Sequence, residues 1–405
     1  MSTSLMYHTQ QISGFQHRSY FYLNSRVLEE IERKDHRCPN CHSCNIKKSY
    51  LRTRYIQGVP YGLKKVYFEV DIHRYYCYKC NSVSTEKLPF LSYPKARLTK
   101  AMERTLMELR PHMCISAISK YFDVDWHIIK NCEKNILKKK YKHIRLKDVR
   151  IIGLDEIYIS SKKNSVQYIT VVRDLESGSV LYVGEGKGSD ALIKFSQSLK
   201  RSKCNIEAIA MDMSKAYISW AKNNLPDADI VFDHFHVIKM FNDKLSNFRR
   251  KLHHEATEND KKILKGTRWL LLKNPENLNE QFNEHDRLKE ALQINAPLAT
   301  AYYMKEDLRR AWSQKDKTTA EKFLKDWIAR ARVSGISMLK KFAKTLAVHK
   351  SGILAYYDFP ISTGPLEGTN NKIKTMKRQA YGFRDSEFFK LKIKAIHTAR
   401  YALVG

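Results

Sequence analysis

The sequence predicts a mixed α/β chain whose main sheet domain is split by an all-helical insertion and preceded by two small units. Three observations predict it. Apolar, β-branched strands carrying a carboxylate start at Ile151 and return at Ile206. Strand patterns vanish between His253 and Lys350, where helical periodicity takes over. Ahead of both lies a cysteine-rich stretch between Cys38 and Cys80. A chain of 405 residues is too long for one compact core. The expected segments are 1–95, 96–146, 147–252, 253–350 and 351–405.

Residues 1–35 carry little signal beyond a short helix expected around Arg26 to Arg33. Cys38-Pro-Asn-Cys41 and Cys77-Tyr-Lys-Cys80 then form two CxxC knuckles, each presenting two thiolates on one side, as a tetrahedral zinc ion requires. One structural Zn²⁺ is expected there, with Cys44 and His42 near enough to compete for a position. The long gap is filled by a hairpin. Val66, Phe68, Val70 and Ile72 alternate with polar neighbours, and Gly58 to Gly62 supplies the turn. This is the pattern of a zinc ribbon. Lys47, Lys48, Arg52, Arg54, Tyr55, Lys64, Lys65, Arg74 and Tyr75 mix charge with aromatics, as a phosphate-facing surface or a solvated face would.

Three helices follow: Thr99–Leu109, Ile115–Phe122 with Ser116 as its expected cap, and Trp126–Leu137. Ile128, Ile129, Cys132 and Ile136 would make the inner face of the third. Two short helices about the Asp123-Val124-Asp125 turn suggest a helix-turn-helix, against the alternative of a plain helical linker. Trp126, His127, Lys130, Asn131 and Lys134 would then face DNA.

Ile151–Ser160, Gln167–Arg173 and Ser179–Glu185 read as consecutive strands, with turns at Lys163–Ser165 and Ser177–Gly178. A helix from Asp190 to Leu199, a strand ending at Asp212, a helix from Ser214 to Asn224, a strand Asp229–Phe232 and a helix from His234 complete the run. Three antiparallel strands followed by alternating helix and strand match a ribonuclease H-like order. The inserted helices are expected at Glu255–Leu272, Leu278–Ile294, Ala299–Trp312, Thr318–Val333 and Met338–His349, with Trp269, Trp312 and Trp327 read as core.

A carboxylate in a central strand is costly unless a cation compensates it. Asp155 sits in the first strand, Asp212 ends the fourth, and Glu367 opens a helix at Gly364-Pro-Leu-Glu-Gly. Three such carboxylates can hold two divalent metals for in-line phosphoryl displacement. Each has another reading. Neighbouring Glu156 points to the opposite strand face and could be the ligand instead. Asp212 could cap the helix after it, and Glu367 could complement its helix dipole. Asp233 and His236 could orient DNA or a metal-bound water, or Asp233 could simply cap its helix. Lys372, Lys374, Lys377 and Arg378, following Glu367 on one helix, would hold phosphates beside the metals or form a solvated basic face.

Lys and Arg number 73 against 42 acids, a formal charge of +31 that implies a polyanionic partner, with nucleic acid first. No apolar run approaches membrane-spanning length, and the N-terminus lacks a leader pattern, so a cytoplasmic, nucleoid-associated location is expected.

The ribbon cysteines, the helix pair, Gly153-Leu-Asp-Glu156, Met211-Asp-Met-Ser214, Asp233-His-Phe-His-Val237 and Gly364-Pro-Leu-Glu-Gly-Thr-Asn370 together resemble the DDE transposases of bacterial insertion sequences, in the group called the ISL three family. The resemblance covers nearly the whole chain. It implies a ribonuclease H-like catalytic domain split by a helical insertion, with Asp155, Asp212 and Glu367 as the triad for two Mg²⁺ (or Mn²⁺) ions. Asp233 and His236 resemble the Asp-x-x-His pattern of related transposases. The partners it implies are double-stranded DNA, both the element's terminal inverted repeats and the target, and a homodimer or higher oligomer on that DNA. A different ribonuclease H-like nuclease, or a transposase-derived DNA-binding regulator, are the competing readings.

Overall fold

The computed structural model describes residues 5–143, 146–159, 167–202, 204–361 and 364–397. The predicted turn at Lys163–Ser165 lies outside them. The chain forms two compact units, Met1–Lys142 with Thr375–Gly405, and His143–Lys374. The boundaries expected from sequence kept 351–405 with the main sheet; by packing, the part from Thr375 onward belongs with the N-terminal residues.

The first unit opens with helix α1 (Leu5–Gln10) and strands β1 (Phe15–Leu23), β2 (Arg26–Arg33), β3 (Ile46–Tyr61), β4 (Lys64–Cys77) and β5 (Ser82–Thr85). The sheet order is β1-β2-β4-β3, with β5 also on β4. The helix expected at Arg26–Arg33 is therefore a strand. Its Leu, Glu and Arg favour helix locally, but Val27, Glu29 and Ile31 turn inward at period two, and pairing with β1 and β4 overrides propensity. Glu29 is tolerated inside because the Tyr20 and Tyr61 hydroxyls donate to it. Val66, Phe68, Val70 and Ile72 all face the core, as their alternation requires. The β3–β4 turn is tighter than expected. Tyr61 pairs with Lys64, and Gly62 takes φ +62°, a conformation an L side chain rarely adopts. Tyr75 and Arg54 are not surface phosphate contacts. Tyr75 is buried, and Arg54 donates to the Pro94 and Ala96 carbonyls.

Helices α2 (Lys100–Leu109), α3 (Ile115–Phe122) and α4 (Trp126–Lys140) follow. Thr99 caps α2. The α3 cap is Cys114, whose Sγ accepts from the Ala117 N–H, rather than Ser116. Asp123 turns the chain in the left-handed region. The inner face of α4 runs through Ile129, Cys132 and Glu133, with Leu137 half-buried, while Ile136 is exposed. Buried Glu133 causes that departure. Its carboxylate accepts from Arg110 at 2.8 Å and from Lys392 at 2.7 Å. Lys392 lies on α16 (Ser386–Lys394), whose Phe388 also joins the core of α2, α3 and α4.

Burial alone would raise the Glu133 carboxyl, but Lys392 and Arg110 outweigh it and hold it below the ordinary value. A folded-state pKa below the unfolded one stabilises above the usual carboxylate range and is lost as pH falls through the folded value. Glu133→Gln leaves Lys392 buried with its charge uncompensated, and is expected to cost about 3–5 kcal/mol. Urea unfolding of the full chain at pH 7 measures this. A loss under about 1 kcal/mol would show that the network is not what fastens α16.

The second unit holds β6 (Ile151–Tyr158), β7 (Tyr168–Asp174), β8 (Val180–Glu185), α5 (Ile193–Ser202), β9 (Ala208–Met211), α6 (Lys215–Asn224), β10 (Asp229–Phe232) and α7 (His234–Glu255). Sheet order is β10-β9-β6-β7-β8. The strands β6, β7 and β8 are antiparallel neighbours, whereas β9 runs parallel to β6 and β10 parallel to β9. The helical block comprises α8 (Glu258–Leu264), α9 (Arg268–Leu272), α10 (Glu284–Gln293), α11 (Ala296–Arg309), α12 (Lys317–Val333), α13 (Ser337–Val348) and α14 (Lys350–Leu354), before α15 (Gly364–Gln379). The single helix expected over Glu255–Leu272 is broken by the Thr257 cap and by Gly266. Trp327 is fully buried, with its indole N–H on the Met304 carbonyl. Trp269 is exposed under Arg268, contrary to the core expectation. No described helix is long and apolar enough to cross a membrane.

Candidate active site and metal centres

The parallel strands bring three carboxylates into one row. Gly153 of β6 pairs with Ala210 of β9, so the same register carried two residues further sets Asp155 level with Asp212. Phe232 of β10 pairs with Met211, and the Asp233 N–H donates to the Met211 carbonyl at 3.1 Å, which sets Asp233 level with Asp212. Asp212 and Asp233 lie just beyond the C-terminal ends of their strands, where open α/β sheets build their sites.

Asp155 and Glu156 part to opposite faces. Asp155 accepts from Asn370 through one oxygen and from the Glu156 N–H through the other. Glu156 instead bears on the buried Tyr217, whose hydroxyl it helps hold above its ordinary value after burial has raised it. Asp155, not Glu156, therefore faces the row. Burial raises the Asp155 carboxyl, and Asp212 adds to that; His236, Asn370 and the Glu156 N–H pull the other way.

Asp233 caps its helix, as one reading held, and also meets His236. One oxygen caps α7 by accepting from the Phe235 N–H, and the other meets His236 Nδ1 at 2.8 Å. That bond, with Asp155 and Asp212 beyond it, raises His236 against the effect of burial. The same carboxylates would attract a divalent cation. Asp212 accepts from the Ser214 N–H at 3.1 Å, closing the turn into α6 rather than capping the helix directly.

Glu367 enters on the first turn of α15 and is exposed. Leu366, Thr369, Ile373 and Met376 form the buried stripe of that helix. Gly153 makes the seat for it. A Cβ there would stand 3.0 Å from Leu366 and 2.8 Å from Leu175. Asn370, one turn after Glu367, reaches Asp155, so this helix face is pinned to the strand that carries the first carboxylate. Among the described residues, the groups whose ligand atoms all lie within 4.8 Å are Cys38, Cys41, Cys77 and Cys80, and His36, His73 and Glu86. The Asp155, Asp212 and Glu367 side chains are therefore not drawn together that closely. Gly153→Ala is expected to cost about 1–3 kcal/mol by overpacking against Leu366 and Leu175. Melting temperature checks this; an unchanged value would mean the seat is slack.

In the ribbon, Cys38 and Cys80 Sγ lie 3.7 Å apart, and Cys41 and Cys77 Sγ 3.5 Å apart. Four thiolates about 2.3 Å from one tetrahedral ion would stand about 3.8 Å apart. Each knuckle ends on a residue with positive φ, His42 and Asn81. The Cys41 and Asn40 backbone N–H groups hold the Cys38 thiol down to about 6. Cys44 is exposed and, like His42, outside the cluster, so Cys80 is the fourth ligand position. This centre fits zinc.

The residues expected to face DNA divide. Trp126, His127 and Asn131 are exposed on α4. Lys130 and Lys134 are not free to meet phosphate: both pair with Asp385, and Lys134 with Glu387 as well. The acidic start of α16, far away in sequence, accounts for the difference. Lys372, Lys374 and Arg378 are exposed on α15 and Lys377 is partly so.

Residues 152–393 match the family model described as transposase, of the DDE ISL3 type. The transposase for insertion sequence element IS1001 of Bordetella parapertussis is 31% identical over 363 residues, covering 89% of this chain and 86% of that protein. The transposase for insertion sequence element IS1557 of Mycobacterium tuberculosis is 26% identical over 392 residues, 90% and 86% of the two chains. Among solved structures, the Drosophila P element transposase strand transfer complex aligns over 64% of this chain and 79% of that chain, at 12% identity and a TM-score of 0.34, too loose to carry an argument.

Proposed function

The chain belongs to the ISL3-type family of DDE transposases, and from that membership we propose that it binds the terminal inverted repeats of an insertion sequence, cuts them and joins them to target DNA. The observation that carries this reading is the level placement of Asp155 and Asp212 on adjacent parallel strands, with the Glu367 helix seated on Gly153. We read the second unit as a ribonuclease H-like domain split by the helical block, the sheet with its cysteines as a zinc ribbon, and α3 with α4 as a helix-turn-helix.

Asp155, Asp212 and Glu367 would hold two Mg²⁺ or Mn²⁺ ions, which when bound activate the attacking oxygen and stabilise the leaving one. The chain's own residues do the rest. Asn370 holds one Asp155 oxygen, fixing the carboxylate's rotation. Asp233 orients His236 beside the carboxylate row. Lys372, Lys374, Lys377 and Arg378 line the same helix as Glu367 and are suited to hold the phosphates that flank the cut. Trp126, His127 and Asn131 are suited to read the ends, whereas Lys130 and Lys134 must first leave Asp385. A dimer or larger assembly on DNA, in the nucleoid, follows from the need to bring two ends together.

The test is binding and cutting of DNA carrying the element's own ends. Specific footprints at both ends and Mg²⁺-dependent cuts at their borders are expected. Asn131→Ala should cost about 1–3 kcal/mol of preference for the ends if it contacts a base, whereas Lys372→Ala and Lys374→Ala should weaken all DNA and each flatten the salt slope by about one. Equal affinity for ends and random DNA would defeat the end-recognition part.

A further inference from the structure

We propose that His36, His73 and Glu86 form a second metal site beside the cysteine centre, one that takes a dication of the Zn²⁺ class. The three come from separate segments: the coil before Cys38, strand β4, and the residue after β5. Their ligand atoms converge within 4.8 Å. Two imidazoles and a carboxylate form a nitrogen-and-oxygen donor set that suits a borderline transition metal, with an open position for water.

The geometry supports it. His73 Nδ1 and Glu86 Oε2 lie 3.1 Å apart. Two ligands at about 2.0–2.1 Å from one ion span such an edge at an angle of about 100°. An ion can thus take the place of the proton they share. The His36 ring packs edge-on against the His73 ring, and its Nδ1 meets the buried Tyr75 hydroxyl at 2.8 Å, so the ring is held at a fixed angle beside His73. Lys48 Nζ, 3.4 Å from His36 Nε2, sits on a largely exposed side chain and can yield. Glu86 is buried but ionised, since Arg33 and His73 overcome its desolvation.

Arg33 holds the other Glu86 oxygen. That neighbouring charge weakens the site relative to the four thiolates, so its ion should leave first on mild chelation. Because β4 supplies both His73 and Cys77, a second ion would stiffen the strand leading into the ribbon knuckle.

The test is a Co²⁺ titration of the metal-depleted full chain, in an Asp155→Asn, Asp212→Asn background that empties the carboxylate row. Two equivalents are expected. One brings thiolate-to-cobalt charge-transfer bands; the other brings only weak visible bands, and is the first removed by chelator. His73→Ala and His36→Ala should each bind one equivalent fewer and keep the charge-transfer bands. If His73→Ala loses those bands, the ribbon has been disturbed, and His36→Ala, altered only in the coil, decides. A single equivalent in the unaltered site, or two in a His36→Ala protein whose bands are intact, overturns the proposal and leaves a hydrogen-bonded His–Glu–Arg network.

Discussion

Asp155→Asn, Asp212→Asn and Glu367→Gln are each expected to lower metal-dependent cleavage of element ends by on the order of 10³-fold or more, because several kcal/mol of charge stabilisation depends on every metal ligand. End binding should stay within about twofold, since the replacements keep shape and leave the basic and aromatic side chains proposed to hold DNA unchanged. Stability separates this result from misfolding. Asp155 is a half-buried carboxylate raised by desolvation and by Asp212, so its amide should melt at the same temperature or higher without metal. Glu367 is exposed, and its amide should leave melting unchanged. A variant that cuts at the wild-type rate would remove that residue from the site. A variant that loses activity only by unfolding would return it to a structural role.

The second large effect is expected in the ribbon. Cys77→Ser should abolish metal binding by the cysteine centre and unfold the knuckles, because structural zinc in small units contributes about 10–16 kcal/mol of folding free energy. Cys77 is fully buried, and ends the strand that also carries the core residues Val66 to Ile72. The damage should reach the sheet, appear as new protease cleavage between residues 38 and 80, and weaken end binding. Cys44→Ser is the control. Cys44 is exposed and outside the cluster, so its replacement should change neither metal content nor binding. Equal losses in the two variants would mean that the wrong sulfurs have been assigned.

The main sheet was legible because its strands are apolar, short and punctuated by turns, so β6 to β10 lie where period and breakers put them. The level placement of Asp155, Asp212 and Asp233 was not legible, since register between distant strands leaves no mark in either one. The choice between Asp155 and Glu156 stayed open for a similar reason: Tyr217, which occupies the Glu156 face, is remote in sequence. The space that Gly153 leaves beside Asp155 is filled by Leu366 from the helix of Glu367, a packing partner remote in sequence. Asn370 stood within a recognised motif, and its spacing of one helical turn from Glu367 was the available signal; its bond to Asp155 was not.

Failures of the local reading share one cause, that tertiary partners override neighbours. Strand β2 carries helix-forming residues, but its alternate positions are buried between β1 and β4. Lys130 and Lys134 had the spacing of a DNA-facing helix, yet Asp385 and Glu387 claim them. Ile136 had the spacing of an inner face, but Glu133 buries its charge there with Arg110 and Lys392. His36, His73 and Glu86 follow no ligand spacing at all, because β4 and the coils around the knuckles bring them together only after folding.

The most direct measurement is joining by the wild-type protein of pre-cut element ends to a target plasmid in Mg²⁺, comparing ends that finish in a 3′-hydroxyl with ends that finish in a 3′-deoxy sugar. The account predicts joined product from the hydroxyl ends alone, supported by Mg²⁺ or Mn²⁺. Ca²⁺, larger and looser in coordination, should permit binding with little chemistry. Tight, specific binding of the ends with no joined product in any of these metals would contradict it, and would make the protein a DNA-binding regulator built on a transposase fold.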